Sequence, residues 1–140
     1  MMNKNIFRFT SALLFIVILL TACSDPKEEA QRHVRQAEVF LHQSRIDKAM
    51  EHYQEAARLN PENAQAVYGI AVVLMNKGRY PEAIEQLDKV IAIKADYADA
   101  YYNRGQCHFY LGDRYTACDD WTIADSLGRP NLRDKLSKCY

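Results

Sequence analysis

The sequence predicts an all-α solenoid of three stacked helical hairpins, and three observations predict it. Small residues recur as Ala37, Ala71 and Gly105 and again as Ala49, Ala83 and Ala117, while large ones recur as Tyr53, Leu87 and Trp121. Every step is 34 residues, a period that belongs to stacked helix pairs rather than to a closed globular core. From Ala30 to Tyr140 no alternating strand pattern occurs, and apolar residues fall at helical spacing.

The N-terminus stands apart from this repeat. Lys4 and Arg8 precede an uninterrupted apolar run from Ala12 to Leu20, which ends in Thr21, Ala22 and Cys23, the layout of a secretion signal. A membrane span needs about 20 apolar residues, and this run is too short. Residues 1–22 are therefore assigned to a signal peptide and residues 23–29 to a polar tether in which Pro26 opposes an early helix. Loss of residues 1–22 removes Lys4 and Arg8 but none of the 18 acidic residues, so the formal charge moves from 0 to −2. That balance suggests no nucleic-acid surface.

The helices then come in pairs. The first is expected from about Lys27 to Gln43, with its partner from Ile46 to Leu59; Asn60 and Pro61 follow as a stop-start signal, with Asn60 as cap and Pro61 in the next first turn. The second pair should run from Glu62 to Asn76 and Tyr80 to Ile93, turning at Gly78. Asp96 is the expected cap of a third pair, Tyr97 to Leu111 and Arg114 to Leu127, which turns at Gly112 and Asp113. Gly128 and Pro130 break the chain before a short last helix, Asn131 to Cys139, which carries Leu132, Leu136 and Cys139 on one stripe. Small residues such as Ala37 and Ala49 let paired helices approach, while Phe40, Tyr53 and Trp121 are expected to fill the wider gaps between hairpins. A stack of this kind needs a closing element with one polar side, and the C-terminal segment fits that role.

The pattern resembles the tetratricopeptide repeat. Ala37, Phe40, Ala49, Tyr53, Ala56 and Pro61 stand at the signature positions of a first repeat, residues 30–63. Ile70, Ala71, Leu74, Ala83 and Leu87 do so in a second, residues 64–97, where Ala95 replaces the usual Pro. Tyr101, Gly105, Ala117, Trp121 and Ala124 mark a third, residues 98–131, in which His108 replaces an aromatic and Pro130 comes one place late; residues 132–140 remain as a capping helix. The resemblance implies a right-handed solenoid that binds an extended peptide or partner helix on its concave face. By position it places Val34, Glu38, Leu41 and His42 there from repeat one, Tyr68, Val72, Met75 and Asn76 from repeat two, and Tyr102, Gln106, Phe109 and Tyr110 from repeat three. Rigid aromatics and amides suit recognition; Val72, Met75 and Phe109 would equally suit packing between hairpins. Members that bind chaperone tails grip a terminal carboxylate with Lys and Asn, but Val34, Glu38, Gly69 and Asp99 stand at the matching places, with Asn103 besides. That argues against chaperone C-termini as partners.

Leu20, Thr21, Ala22 and Cys23 resemble the lipobox of bacterial lipoproteins. The resemblance implies that Cys23 becomes a lipidated N-terminus, whose several acyl chains anchor stably where one would not. An ordinary signal peptide with a Cys after Ala22 is the competing reading. Ser24 in the second mature position favours the outer membrane, on its periplasmic side, and Lys27, Glu28 and Glu29 look like the tag that directs some lipoproteins to the cell surface. The function expected is a membrane-anchored interaction adaptor in the cell envelope, taking a segment of another envelope protein; the alternative is a pilotin-like assembly factor for a pilus or outer-membrane complex.

Cys107, Cys118 and Cys139 remain. Cys118 with Cys139 is the favoured disulfide, because one lies on the last hairpin and the other ends the helix expected to cap it; free buried thiols are the alternative. No metal or other cofactor is expected, since Cys107 and His108 diverge around the helix and no second ligand pair has suitable spacing. Neither a phosphate loop nor a nucleophile elbow occurs, and Asp119 with Asp120 reads as a solvated face rather than an acid–base pair, so no enzyme is expected.

Overall fold

The computed structural model describes residues 25–139, so the expectations for residues 1–24 and for Tyr140 lie outside the described residues. All secondary structure within them is helical: α1 (Pro26–His42), α2 (Ile46–Leu59), α3 (Ala64–Asn76), α4 (Tyr80–Ile93), α5 (Ala98–Tyr110), α6 (Arg114–Ser126) and α7 (Arg133–Leu136). Pairs α1–α2, α3–α4 and α5–α6 form antiparallel hairpins, and each hairpin leans on the next through α2 with α3 and α4 with α5. The first helices also touch one another, α1 with α3 and α3 with α5, whereas the second helices do not. The row α1–α3–α5 is thus the inner, concave side of a solenoid.

The three hairpin turns are copies of one another. Ser44, Gly78 and Gly112 hold φ of 57°, 71° and 88°, and the next residue in each case bonds back to a carbonyl five positions earlier: Arg45 to Phe40, Arg79 to Leu74 and Asp113 to His108. This is the Schellman closure, which satisfies the orphan carbonyls at a helix end and favours glycine in the left-handed residue. Ser44 is the one turn that lacks it.

The period-34 residues meet as the spacing requires. Ala37, Ala49, Ala71, Ala83 and Ala117 have no exposed surface, and Tyr53, Leu87 and Trp121 are buried beside them. One apolar cluster joins α1 and α2 to the near side of α3, through Val34, Ala49, Tyr53 and Val73; a second joins α3 and α4 to α5, through Leu74, Leu87, Val90 and Cys107. Full burial of side chains such as Leu87 and Val34 contributes roughly 1.5–3 kcal/mol each.

Several expectations are corrected. Pro26 opens α1 instead of opposing it, because the first-turn nitrogen has no helical acceptor to lose, and Asp25 caps the turn by accepting from Lys27 N–H at 2.9 Å. Of the residues read as a tether, Pro26 to Glu29 therefore belong to the helix. Asn63, not Asn60, caps α3, accepting from Ala66 N–H at 3.1 Å; Asn60 ends α2 in extended geometry, as a residue before proline prefers. Lys94 adopts the same geometry without a following proline, and α5 starts after Tyr97 with no side-chain cap from Asp96. Of the three rings assigned to gaps between hairpins, only Tyr53 crosses one, lying where a Cβ on Gly69 of α3 would fall. Trp121 packs inside its own hairpin, where a Cβ on Gly105 would come within 2.7 Å of its Nε1, and Phe40 stacks on His52 of α2. The last helix is a single turn, Arg133–Leu136, because Gly128 at φ 87° reverses the chain early and spends the segment on tucking Leu132, 1% exposed, under α6.

Candidate peptide-binding face

The concave face is built from α1, α3 and α5, and its two ends differ in chemistry. At the N-terminal end, amides and one carboxylate link the helices. The side chains of Gln31 and Gln65 meet at 3.3 Å, and Gln65 Nε2 donates to Glu38 Oε1 at 2.8 Å. Midway, Asn103 Nδ2 donates to Tyr68 Oη at 2.8 Å, and the Tyr68 ring stacks on Tyr97 with centroids 5.0 Å apart. Burial, with the Asp99 charge adding to it, holds the Tyr68 phenol well above its ordinary pKa, so Tyr68 presents a neutral hydroxyl.

At the C-terminal end the face is cationic and aromatic. Arg129 Nε donates to Asp99 Oδ1 at 2.6 Å while its guanidinium carbon sits 3.4 Å from the Tyr102 ring centroid. Lys135 Nζ donates to Gln106 Oε1 at 2.9 Å and lies 4.9 Å from the Trp121 ring centroid. Phe109 and Tyr110 are 45% and 60% exposed, Tyr110 being stacked on Tyr80 at 5.0 Å. Cys118 and Cys139 form a disulfide that pins the chain end to α6. Cys107 is a buried free thiol, its pKa pushed up to about 11 by burial.

The residues expected on this face divide accordingly. Leu41, Val72 and Met75 are half-buried, Asn76 is exposed, and Phe109 and Tyr110 are open to solvent. Tyr68, Tyr102 and Gln106 are present but engaged by Asn103, Arg129 and Lys135. Val34 does not belong here: its side chain is fully buried in the first apolar cluster. Val34 is buried because α1 seats it among residues of α2 and α3, including Tyr53 and Val73.

One polar residue, Arg104, was not singled out by sequence alone. Arg104 on α5 holds Asp120 on α6 through two hydrogen bonds, Nε–Oδ2 at 3.0 Å and Nη2–Oδ1 at 2.7 Å, and reaches Asp88 on α4 at 2.6 Å. Asp120 is 2% exposed, which corrects its reading as a solvated carboxylate; Asp119 beside it is exposed. Hydrogen bonds from Arg104 to Asp120, then to Asp88, raise the guanidinium pKa against its desolvation. The bidentate pair ties α5 to α6 within the third hairpin, and the bond to Asp88 ties that hairpin to the second. Among the described residues no group of three His, Cys, Asp or Glu side chains could hold a metal ion, and no helix is long and apolar enough to cross a membrane.

A tetratricopeptide-repeat family model matches residues 40–107, from the end of α1 into α5. The chain has the fold of a tetratricopeptide-repeat solenoid. Its fold is similar to the first such domain of Spaghetti (RPAP3) bound to the HSP90 peptide SRMEEVD, with TM-score 0.76, 20% identity, and 81% of this chain and 91% of that one covered. It is likewise similar to the Arabidopsis OM64 domain, with TM-score 0.77, 21% identity and coverage of 81% and 96%. In sequence it is 35% identical over 75 residues to the mouse (Mus musculus) Superkiller complex protein 3, covering 54% of this chain and 5% of that protein. The solenoid thus spans a small fraction of that relative's length.

Proposed function

We propose that this chain is a membrane-anchored tetratricopeptide-repeat lipoprotein acting as an interaction adaptor in the bacterial cell envelope. The observation that carries the binding role is the row α1–α3–α5 itself, which leaves Asn76, Phe109 and Tyr110 exposed and Val72 and Met75 half-buried beside them. Exposed aromatics beside half-buried aliphatics offer area at low entropic cost to an extended segment or a helix. Leu20 to Cys23 supports the anchor, because a lipidated Cys23 would leave only Ser24 before the Asp25 cap of α1. The hairpin turns lie at the opposite edge from residue 25, so an anchored solenoid would hold Phe109 to Tyr115 away from the bilayer.

A structural neighbour holds a chaperone peptide ending in acidic residues. Here the places that would grip such a terminus carry buried Val34, Glu38 and Gly69, and Asp99 is already paired with Arg129. The partner class supported is therefore an internal segment of an envelope protein. Crosslinking from Phe109 in intact envelopes should capture that partner, and replacing Tyr68, Tyr102 and Tyr110 together should abolish capture. Retained capture by the triple variant would sink the concave-face reading. Replacing Cys23 by Ser should release the protein from membranes, and persistent membrane association would refute the anchor.

A further inference from the structure

The C-terminal segment adds something that three stacked hairpins do not require. Gln106, Phe109, Tyr110 and Trp121 on one side and Arg114, Lys135 and Lys138 on the other enclose a pocket of about 340 Å³, with the Cys118–Cys139 disulfide as part of its wall. Among the described residues no carboxylate lines it. Asp119 lines the adjoining cleft, which shares Arg114, Lys138 and the Cys118–Cys139 wall with this pocket, but it forms no ion pair with either cation, and Asp134 faces a separate cleft with Pro130 and Arg133. Asp113 is occupied in capping α6, where its carboxylate accepts from Thr116 N–H at 3.1 Å and Thr116 Oγ1 at 2.7 Å.

The three cations of the pocket have only neutral partners. Arg114 Nη2 donates to the Lys138 carbonyl at 3.0 Å, Lys135 donates to the Gln106 amide, and Lys138 extends into solvent. Elsewhere the described arginines on this hairpin are paired, Arg104 with Asp120 and Asp88, and Arg129 with Asp99. The disulfide ties the backbone next to Lys138 to α6, and the bond to Gln106 holds the Lys135 ammonium at the pocket.

We propose that this pocket takes a carboxylate side chain flanked by an aromatic or branched aliphatic residue, from an acidic internal segment of a partner protein lying along the concave face. Charge complementarity names the carboxylate, and the exposed rings of Phe109 and Tyr110 at the pocket mouth name its apolar neighbour. Gln106 and Tyr102 connect the pocket to the groove, so one segment reaches both; in that respect the proposal rests on the groove reading above. Unpaired cations in a half-enclosed site form stronger, less screened bonds to a carboxylate than surface lysines do.

The test uses two fluorescein-labelled peptides blocked at both ends, Gly-Phe-Asp-Leu-Glu-Gly and its amide counterpart Gly-Phe-Asn-Leu-Gln-Gly, with the oxidised solenoid. The acidic peptide should bind about tenfold more tightly in about 0.05 M salt, and the preference should shrink in about 0.5 M salt. Lys138→Gln with Lys135→Gln should erase the preference while leaving the amide peptide's affinity unchanged and the protein folded by circular dichroism at the assay temperature. Equal binding of the two peptides, no binding of either, or a preference that survives the double variant would overturn the proposal. Val72→Thr with Met75→Gln, remote from the pocket, reports on the groove separately: it should weaken both peptides alike, and failure to do so would count against the groove and not against the pocket.

Discussion

The first and last hairpins solve the same packing problem by different means. The first is held by apolar matter: Val34, Ala37, Ala49 and Tyr53 close against one another, and the second hairpin covers what remains. Its polar links, such as Gln65 with Glu38, are exposed. The last hairpin is closed differently. It relies instead on the buried Arg104–Asp120 pair, on the Lys135 ammonium over Trp121, and on a disulfide that folds the chain end back onto α6. A solenoid end is an exposed core face, and an end built with charge can be both closed and receptive, whereas one built with aliphatic residues is only closed.

The sharpest way to break this contrast is Arg104→Ala. It strands a carboxylate that is 2% exposed and should cost about 3–5 kcal/mol, with hydrogen exchange rising in α5 and α6 well before α1 and α2. A uniform loss across all helices would mean that the ends are not energetically distinct. Next, Cys118→Ser with Cys139→Ser removes a crosslink spanning 21 residues and should lower stability by about 3 kcal/mol, measured by urea unfolding. Protection should fall first around Leu132, and the acidic-peptide preference should fall with it.

A smaller change should strengthen the first hairpin. Ser44 alone among the three turns bears a side chain at positive φ, and Ser44→Gly should raise stability by about 0.5–1 kcal/mol. An unchanged or lowered melting temperature would show that the serine is accommodated without strain.

Alkaline pH has the mildest expected effect and divides the ends least. Burial raises Cys107 to about 11 and Tyr53 to about 12, above their ordinary values of 9 and 10. The folded chain therefore favours the neutral forms. Their stabilisation is complete below pH 9 and is lost as pH climbs through 9 to 12, because the unfolded chain ionises first. Alkylation of Cys107 at pH 8 should accordingly require unfolding; rapid labelling of the native protein would contradict its burial.

Much of this was legible in the order of residues, for a physical reason. Helix pairs are local structures, so Ile46–Leu59 and Tyr80–Ile93 follow from apolar spacing and turn formers within the same few turns. Capping was less legible. Asn60 and Asn63 are both good caps on paper, and only the path of the chain after Pro61 selects Asn63. Val34, assigned to the groove by repeat position, is fully buried, because the way α1 seats against α2 and α3 is a tertiary outcome.

By itself the sequence determined the number of hairpins, their boundaries within a few residues and the small-to-large alternation that seats them, because each depends on contacts a turn or a hairpin apart. Tertiary structure alone decided which of two adjacent carboxylates would be buried, and it brought Arg114, Lys135 and Lys138 to one pocket. Those outcomes depend on how far Gly128 turns the chain and on which face of α6 meets Arg104. Both are angles between elements, which a one-dimensional pattern of apolar and polar residues does not encode.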